Sequence, residues 1–254
     1  MFTVVVSKKD LASLNIYEAL KRFKPDIHFL ICEEDIINVN TGKANADYFI
    51  FASRHRSEEN RKTLSVHLIG NWNRAEFGGK ERKLCAASSH LLKKFFIELN
   101  KQAAAAQLQY ECTLEATHHG PYCEKPCIFI EIGSSETEWR DKQAAEVVAK
   151  TILEATKRFD ELEEAEEEWK TALAFGGGHY CTAFNNLELN SNYALSHICS
   201  KYNLLLLTEE MIKQAIEVTE ERVELALLDW KGLAGEKQRV LKMLENVGLE
   251  YERV

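Results

Sequence analysis

Short apolar runs alternate with longer stretches of helical spacing through most of this chain. The run 2–6 predicts a buried strand, and 11–23 follows as a helix with Leu14, Tyr17 and either Ala19 or Leu20 on one face. Runs 28–31, 48–52 and 64–69 predict three further strands. The last two exit into Ser53-Arg-His-Arg56 and Gly70-Asn-Trp-Asn73. Residues 72–87 are polar around Gly78-Gly79 and predict a loop. Ser88-Ser89 opens a helix to 107 that turns Leu91, Leu92, Phe95, Phe96 and Leu99 inward. Strands at 109–117 and 127–132 come next, then a helix from 137 or 138 to 158. The run 172–175 is apolar. A helix at 192–201, a strand at 204–207, a helix from Thr208 to about 229 and a last helix at 236–246 complete the chain. This alternation predicts an α/β fold, a mixed and largely parallel sheet flanked by helices.

At 254 residues and 45% hydrophobic, the chain has enough apolar material for one large core, so 1–254 is expected to form a single α/β domain. No apolar run reaches the roughly 18 residues of a membrane helix, and Met1-Phe-Thr-Val-Val-Val-Ser7 reads as a strand, not a signal peptide. Seven cysteines without a regular framework suit reduced thiols in a cytoplasmic protein. A monomer that needs no membrane is the expectation.

Net charge is −8, which taken alone disfavours a polyanionic partner. The distribution reverses that for half of the chain. Residues 1–110 carry 17 Lys and Arg against 12 Asp and Glu, whereas 111–254 carry 15 against 28. A basic docking face on the first half is therefore possible, from Lys8-Lys9, Arg54 and Arg56 with Arg61-Lys62, Lys80 to Lys83, and Lys93-Lys94. The acidic run Asp160 to Glu168 would repel a nucleic acid and is expected to form a solvated face.

Two stretches carry candidate chemistry. Glu115-Ala-Thr-His-His-Gly-Pro-Tyr122 ends a β-like run at a Gly-Pro break, and Phe175-Gly-Gly-Gly-His-Tyr180 repeats the arrangement of an apolar run, a flexible turn and a histidine. Ligands of open α/β sheets bind at strand ends. If strand geometry persists, Glu115, Thr117 and His119 share one face; if the tip has turned into a loop, His118 joins them. A carboxylate beside an imidazole tunes a general base or orients a metal ligand. Glycines 176, 177 and 178 let amide groups approach a phosphate or a developing oxyanion. His55 and His67 are weaker candidates at strand positions, and His197 is expected to pack in the core. There is no P-loop, Rossmann fingerprint, His-Glu-x-x-His or Gly-x-Ser-x-Gly.

These motifs, with Ser53-Arg-His55, Ser7-Lys-Lys-Asp-Leu-Ala-Ser13, Asn15-Ile16 and Leu228-Asp-Trp-Lys-Gly232, resemble the archaeal and plant type of D-aminoacyl-tRNA deacylase (D-tyrosyl-tRNA deacylase). The likeness spans nearly the whole chain. It departs at Leu11, at Cys181-Thr182 and at Ser196. The resemblance implies a fold related to peptidyl-tRNA hydrolase and phosphorylases. It also implies hydrolysis of the ester between a D-amino acid and the tRNA acceptor end, as chiral proofreading and D-amino acid detoxification, and an association with zinc.

Carried onto this chain, the resemblance gives Glu115, His118, His119 and His179 as catalytic residues. Ser7, Lys9, Asp10, Asn15, Arg54, His55, Thr117, Gly176, Gly177, Gly178 and Tyr180 would bind substrate, and His118, His119, His179 and His55 would hold the metal. Trp72 or Tyr122 could stack on the terminal adenine, with core or loop anchoring the better expectation for either alone. A metal-dependent or phosphorylase-like hydrolase of a small nucleoside or peptide, and a non-catalytic RNA-binding module, are the alternatives.

Overall fold

A computed structural model describes residues 1–42, 44–159 and 169–254; the acidic run Asp160 to Glu168 lies outside the described residues. In chain order the strands are β1 (Phe2–Ser7), β2 (His28–Cys32), β3 (Tyr48–Arg56), β4 (Thr63–His67), β5 (Gly70–Asn71), β6 (Lys83–Leu84), β7 (Glu111–Leu114), β8 (Cys127–Ser134), β9 (Lys170–Phe175), β10 (Tyr193–Cys199), β11 (Val223–Leu228) and β12 (Glu250–Arg253). The helices are α1 (Leu11–Arg22), α2 (Ser89–Ala105), α3 (Glu136–Trp139), α4 (Lys142–Phe159), α5 (Thr182–Asn190), α6 (Lys201–Leu204), α7 (Glu209–Glu217) and α8 (Lys237–Val247).

One sheet has the order β2-β1-β3-β8-β4-β7, parallel throughout except where β4 meets β8; a second, β10-β9-β11-β12, is wholly parallel. The period-2 pattern of the first sheet sorts its side chains between two cores. Val4, Val6, Ile50 and Ala52 join α1, α2 and α4 on one face, while Val5, Phe49, Phe51 and Phe129 pack with Ile36 and Val39 on the other. The larger core also takes in Ala172, Ala174, Leu195 and Ile198 from the second sheet. A further core packs the opposite face of that sheet against α7 and α8. The Asp10 carboxylate accepts from Ser13 N at 3.0 Å and starts α1, and the Ser88 hydroxyl accepts from Leu91 N at 3.1 Å and starts α2. Among the described residues no helix is long and apolar enough to cross a membrane.

The second half differs most from its sequence pattern. The predicted helix at 192–201 is strand β10, whose central residues are buried on both faces, so neither period is visible. The predicted helix from Thr208 to about 229 is α7 followed by β11; Leu225-Ala-Leu-Leu228 favours helix locally, and the sheet overrides it. The predicted strand at 204–207 is the end of α6 and a turn, with Leu205 and Leu206 exposed. The helix from 137 or 138 breaks into α3 and α4 at Asp141, whose Oδ1 accepts from Gln143 N and Ala144 N. Helix α5 and the edge strand β12, which has no buried residue, had no clear pattern.

Candidate active site

The two histidine-bearing stretches converge, and backbone bonds join them. Ala116 N donates to His179 O at 2.9 Å, Cys181 N to Leu114 O at 3.0 Å, and Thr117 N to Ile198 O at 3.0 Å. Strand β7 stops at Leu114, and His119 has a left-handed φ of 44°. Strand alternation therefore lapses before the doublet, and both imidazoles reach one crevice. Their ring centroids are 4.2 Å apart, and His118 lies 4.7 Å from His179.

The floor of the crevice comes from the first sheet. In register, β3 Ser53 and β4 Ser65 both pair with β8 Glu131, which places His55, Glu131 and His67 on one face. His55 Nδ1 lies 3.1 Å from Glu115 Oε1 and 3.5 Å from Glu131 Oε2. His179 Nε2 lies 3.0 Å and His118 Nε2 3.7 Å from Glu115 Oε2, and His67 Nε2 lies 3.6 Å from Glu131 Oε2. His55 Nε2 is 3.0 Å from the Tyr180 hydroxyl. A cavity of about 500 Å³ opens over His55, His118, His119, His179 and Glu131, with Asp10, Arg54, Arg56 and Phe77 at its walls. Glu115 is buried, whereas the His179 side chain keeps 38% of its exposure and meets solvent.

Charge within the cluster is sorted by contact. Burial would neutralise Glu115, yet His55 and His179 hold its carboxyl well below the usual range. Burial is likewise overcome at Glu131, which His55 and His67 bring to about 2. The two carboxylates in turn raise His55 to about 11 against burial, and Glu131 raises His67. His118 is pushed well below the ordinary imidazole value by burial and by His119 and His67, and His119 falls to about 4 by burial and His67. The carboxylates thus favour the cation at His55 and shift His67 the same way, whereas the doublet is shifted toward its neutral form.

The donor set fits a metal ion. His67, His118 and His119 can each offer one ligand atom, all within 4.8 Å of one another, as can His55, Glu115 and His179. His67, His118 and His119 place Nδ1 at 3.0, 2.8 and 2.7 Å from the carbonyls of Leu68, Ala116 and Gly120. Such bonds fix the tautomer and leave Nε2 for a ligand. His67 Nε2 and both Glu115 oxygens lack a well-aligned hydrogen bond despite full burial, the signature of groups prepared for another partner.

Other expected residues lie apart from the cavity or are already engaged. Asp10 lines the wall with Oδ2 bonded to Ser53 Oγ and Arg54 N, and burial pushes its carboxyl up. Arg54 Nη1 donates to Lys9 O. Ser7 Oγ donates to Glu34 O, and Asn15 Nδ2 donates to Trp139 O and Asp141 O. Thr117 is buried, with its hydroxyl accepting from Ile198 N and facing His197 Nδ1. His197, burial-depressed to about 4, sits in the core as expected, though on a strand.

The triple glycine is not an oxyanion cradle at Gly176, whose N–H donates to Cys199 O. It permits close packing instead. A Cβ at Gly176 would stand 2.9 Å from Asp229 O, and one at Gly232 would collide with Gly177 N. A Cβ at Gly178 would meet only Tyr180 O, at 3.9 Å. The Asp229-Trp-Lys-Gly232 turn is thus the seat on which the loop bearing His179 rests.

Both aromatics are anchored away from the crevice. Trp72 is buried and donates to Ile198 O at 3.1 Å, and Tyr122 is capped by Lys80 Nζ, 3.8 Å from its ring centroid, beside a different cavity. Lys93 and Lys94 are buried, so they form no docking face; Lys93 Nζ donates to the carbonyls of Glu188, Ser191 and Tyr193. Glu131 had a readable signal, a carboxylate in phase with Cys127 and Phe129 inside an apolar run. Phe77 had none, because an aromatic in a polar loop has no period.

A family model described as D-aminoacyl-tRNA deacylase matches residues 42–252. The chain belongs to the D-aminoacyl-tRNA deacylase family. The D-aminoacyl-tRNA deacylase of Pyrococcus furiosus is 35% identical, covering 99% of both chains. That of Methanocaldococcus jannaschii is 34% identical over all of this chain and 99% of its own. The fold is also found in the crystal structure of a conserved protein of unknown function, with a TM-score of 0.88 and 30% identity over 100% of this chain and 95% of that one.

Proposed function

We propose that this chain hydrolyses the ester of D-aminoacyl-tRNA, releasing free tRNA and the D-amino acid, with Glu115 and the surrounding imidazoles as the reacting centre. The observation that carries the reading is His179 Nε2 held 3.0 Å from a buried carboxylate on one side while the ring faces the cavity on the other. This is a general base oriented by a carboxylate. His179 takes a proton from water as the oxygen bonds to the ester carbonyl carbon, and the Glu115 charge stabilises the imidazolium. When the tetrahedral species collapses, the bond to the ribose oxygen breaks, and that oxygen recovers the proton from His179. His55, cationic between Glu115 and Glu131, supplies positive potential for the transient oxyanion.

Zinc is part of the proposal. His67, His118 and His119 would hold it, the ion displacing any proton on His67, while His55 and His179 keep the roles given above; when bound it would supply a lowered water pKa and polarisation of the ester carbonyl. The neutral state of His118 and His119 suits that task, since a protonated imidazole cannot ligate.

The test uses purified protein with D-tyrosyl-tRNA and L-tyrosyl-tRNA. Release of D-tyrosine with the L-ester spared is expected; an intact D-ester after prolonged incubation would sink the proposal. Metal analysis of the same preparation, followed by chelation and zinc replacement, separates the ester chemistry from the metal assignment. Full activity in metal-free protein would remove zinc and leave the hydrolase reading standing.

A further inference from the structure

Phe77 is a large aromatic side chain left 67% exposed at the wall of the catalytic cavity. Single exposed apolar side chains are common on protein surfaces; this one stands out because it lines the cavity that holds the imidazoles. The backbone that carries the ring is firmly held. Gly120, next to His119, donates its N–H to Phe77 O at 3.0 Å. Gly78 and Gly79 follow at φ +75° and +79°, where a Cβ on Gly78 would collide with Ile37 O and one on Gly79 would stand 3.1 Å from Gly120 Cα. Asn71 Nδ2 donates to Gly78 O at 2.9 Å and to Lys80 O at 3.2 Å, closing the loop from behind. The aromatic is thus held by the same backbone that fixes the histidine doublet, with Ile36 and Ile37 beside it in the cavity wall.

We infer that Phe77 is the platform on which the terminal adenine of the tRNA stacks, setting the ribose ester over His179. The inference rests on the proposed deacylase reading. The reacting ester joins the amino acid to the ribose of the last nucleotide, so the base of that nucleotide lies within the reach of a 500 Å³ cavity. A ring on a fixed backbone suits the part of the substrate that never varies. Every aminoacyl-tRNA ends in the same adenosine, whereas amino acid side chains differ in size, and a fixed phenyl beside them would select among them. Arg54 and Arg56 in the cavity wall supply positive charge for the adjoining phosphate. Base stacking on an aromatic is worth about 1–3 kcal/mol per base, which is about 5- to 150-fold in affinity.

The experiment compares wild type, Phe77→Ala and Phe77→Trp on D-alanyl-tRNA and D-tyrosyl-tRNA. Phe77→Ala is expected to raise KM about tenfold by the same factor for both esters, with kcat changed less than about twofold. Phe77→Trp is expected to stay within about twofold of wild type and to show indole fluorescence quenched by a CCA trinucleotide. An unchanged KM in Phe77→Ala overturns the inference. So does a loss seen with the D-tyrosyl ester and absent with the D-alanyl ester, which would place the ring against the amino acid. Wild type inert toward both esters would instead defeat the deacylase reading itself. The exposed position makes a folding defect in either variant readable as an altered melting curve.

Discussion

A single carboxylate organises the centre: Glu115 is touched by imidazoles from three separate parts of the chain, His55, His118 and His179. Replacing His179 by Ala removes the base while leaving Glu115 paired to His55. Turnover is expected to fall at least 100-fold with an unaltered melting temperature, as checked by single-turnover deacylation beside thermal melts. A second residue reports on pH. Glu188 is buried with Oε2 accepting from Leu195 N, and burial lifts its carboxyl to about 8 despite Lys93. Its folded pKa lies above the ordinary 4.5, so the unfolded chain ionises first. The stability it contributes is complete below about 4.5 and disappears as pH rises through about 8. Glu188→Gln should therefore gain several degrees of melting temperature relative to wild type between pH 5 and 8, at about 2–4 °C per kcal/mol for a chain of this size. Parallel curves for the two proteins would show that the carboxyl ionises in the fold with Lys93 as counter-charge.

At the scale of elements, the loop after β9 owes its shape to a turn far away in sequence. Gly232→Ala puts a methyl group into Gly177 N and the Asp229 carboxylate. A loss of about 1–3 kcal/mol is expected from overpacking, together with a fall in kcat larger than that of an equally destabilising core substitution remote from the loop. Equal activity in the two would mean that the turn supports the fold alone. Elements are also where sequence and structure part. The strands of the first half and the helices α1, α2 and α8 could be read from their periods because one face of each meets water or a neighbouring layer. Strand β10 breaks its apolar run with the buried polar pair Ser196 and His197, and β11 is rich in helix formers, so only the second sheet decides them. At the site, His118, His119 and His179 could be found beside Gly and Pro breaks. His55 was a weaker candidate on a strand and Glu131 stood in phase within an apolar run; that the two meet follows only from the register of β3 with β8. Phe77 depended on the Gly78 and Gly79 contacts with Ile37 and Gly120, which no local pattern encodes.

Across the whole molecule, the basic surplus of residues 1–110 meets the cavity at Arg54 and Arg56, while Lys8 pairs with Glu33 and Arg61 with Glu59 and Glu111. Arg56→Ala should weaken tRNA binding several-fold and lower the slope of log affinity against log salt by about 0.7–0.9, the value of one phosphate contact. Titrations at several salt concentrations read that slope. An unchanged slope would place the phosphates elsewhere. The stitching of Ala116 to His179 and of Thr117 to Ile198 has one more outcome. A chain emerging from the ribosome carries the histidine doublet well before β10 exists, so it remains inert toward esters until some two hundred residues are outside the exit tunnel. Cleaving the finished protein between its two sheets should silence both fragments, and mixing them should restore turnover only as fast as the sheets find each other.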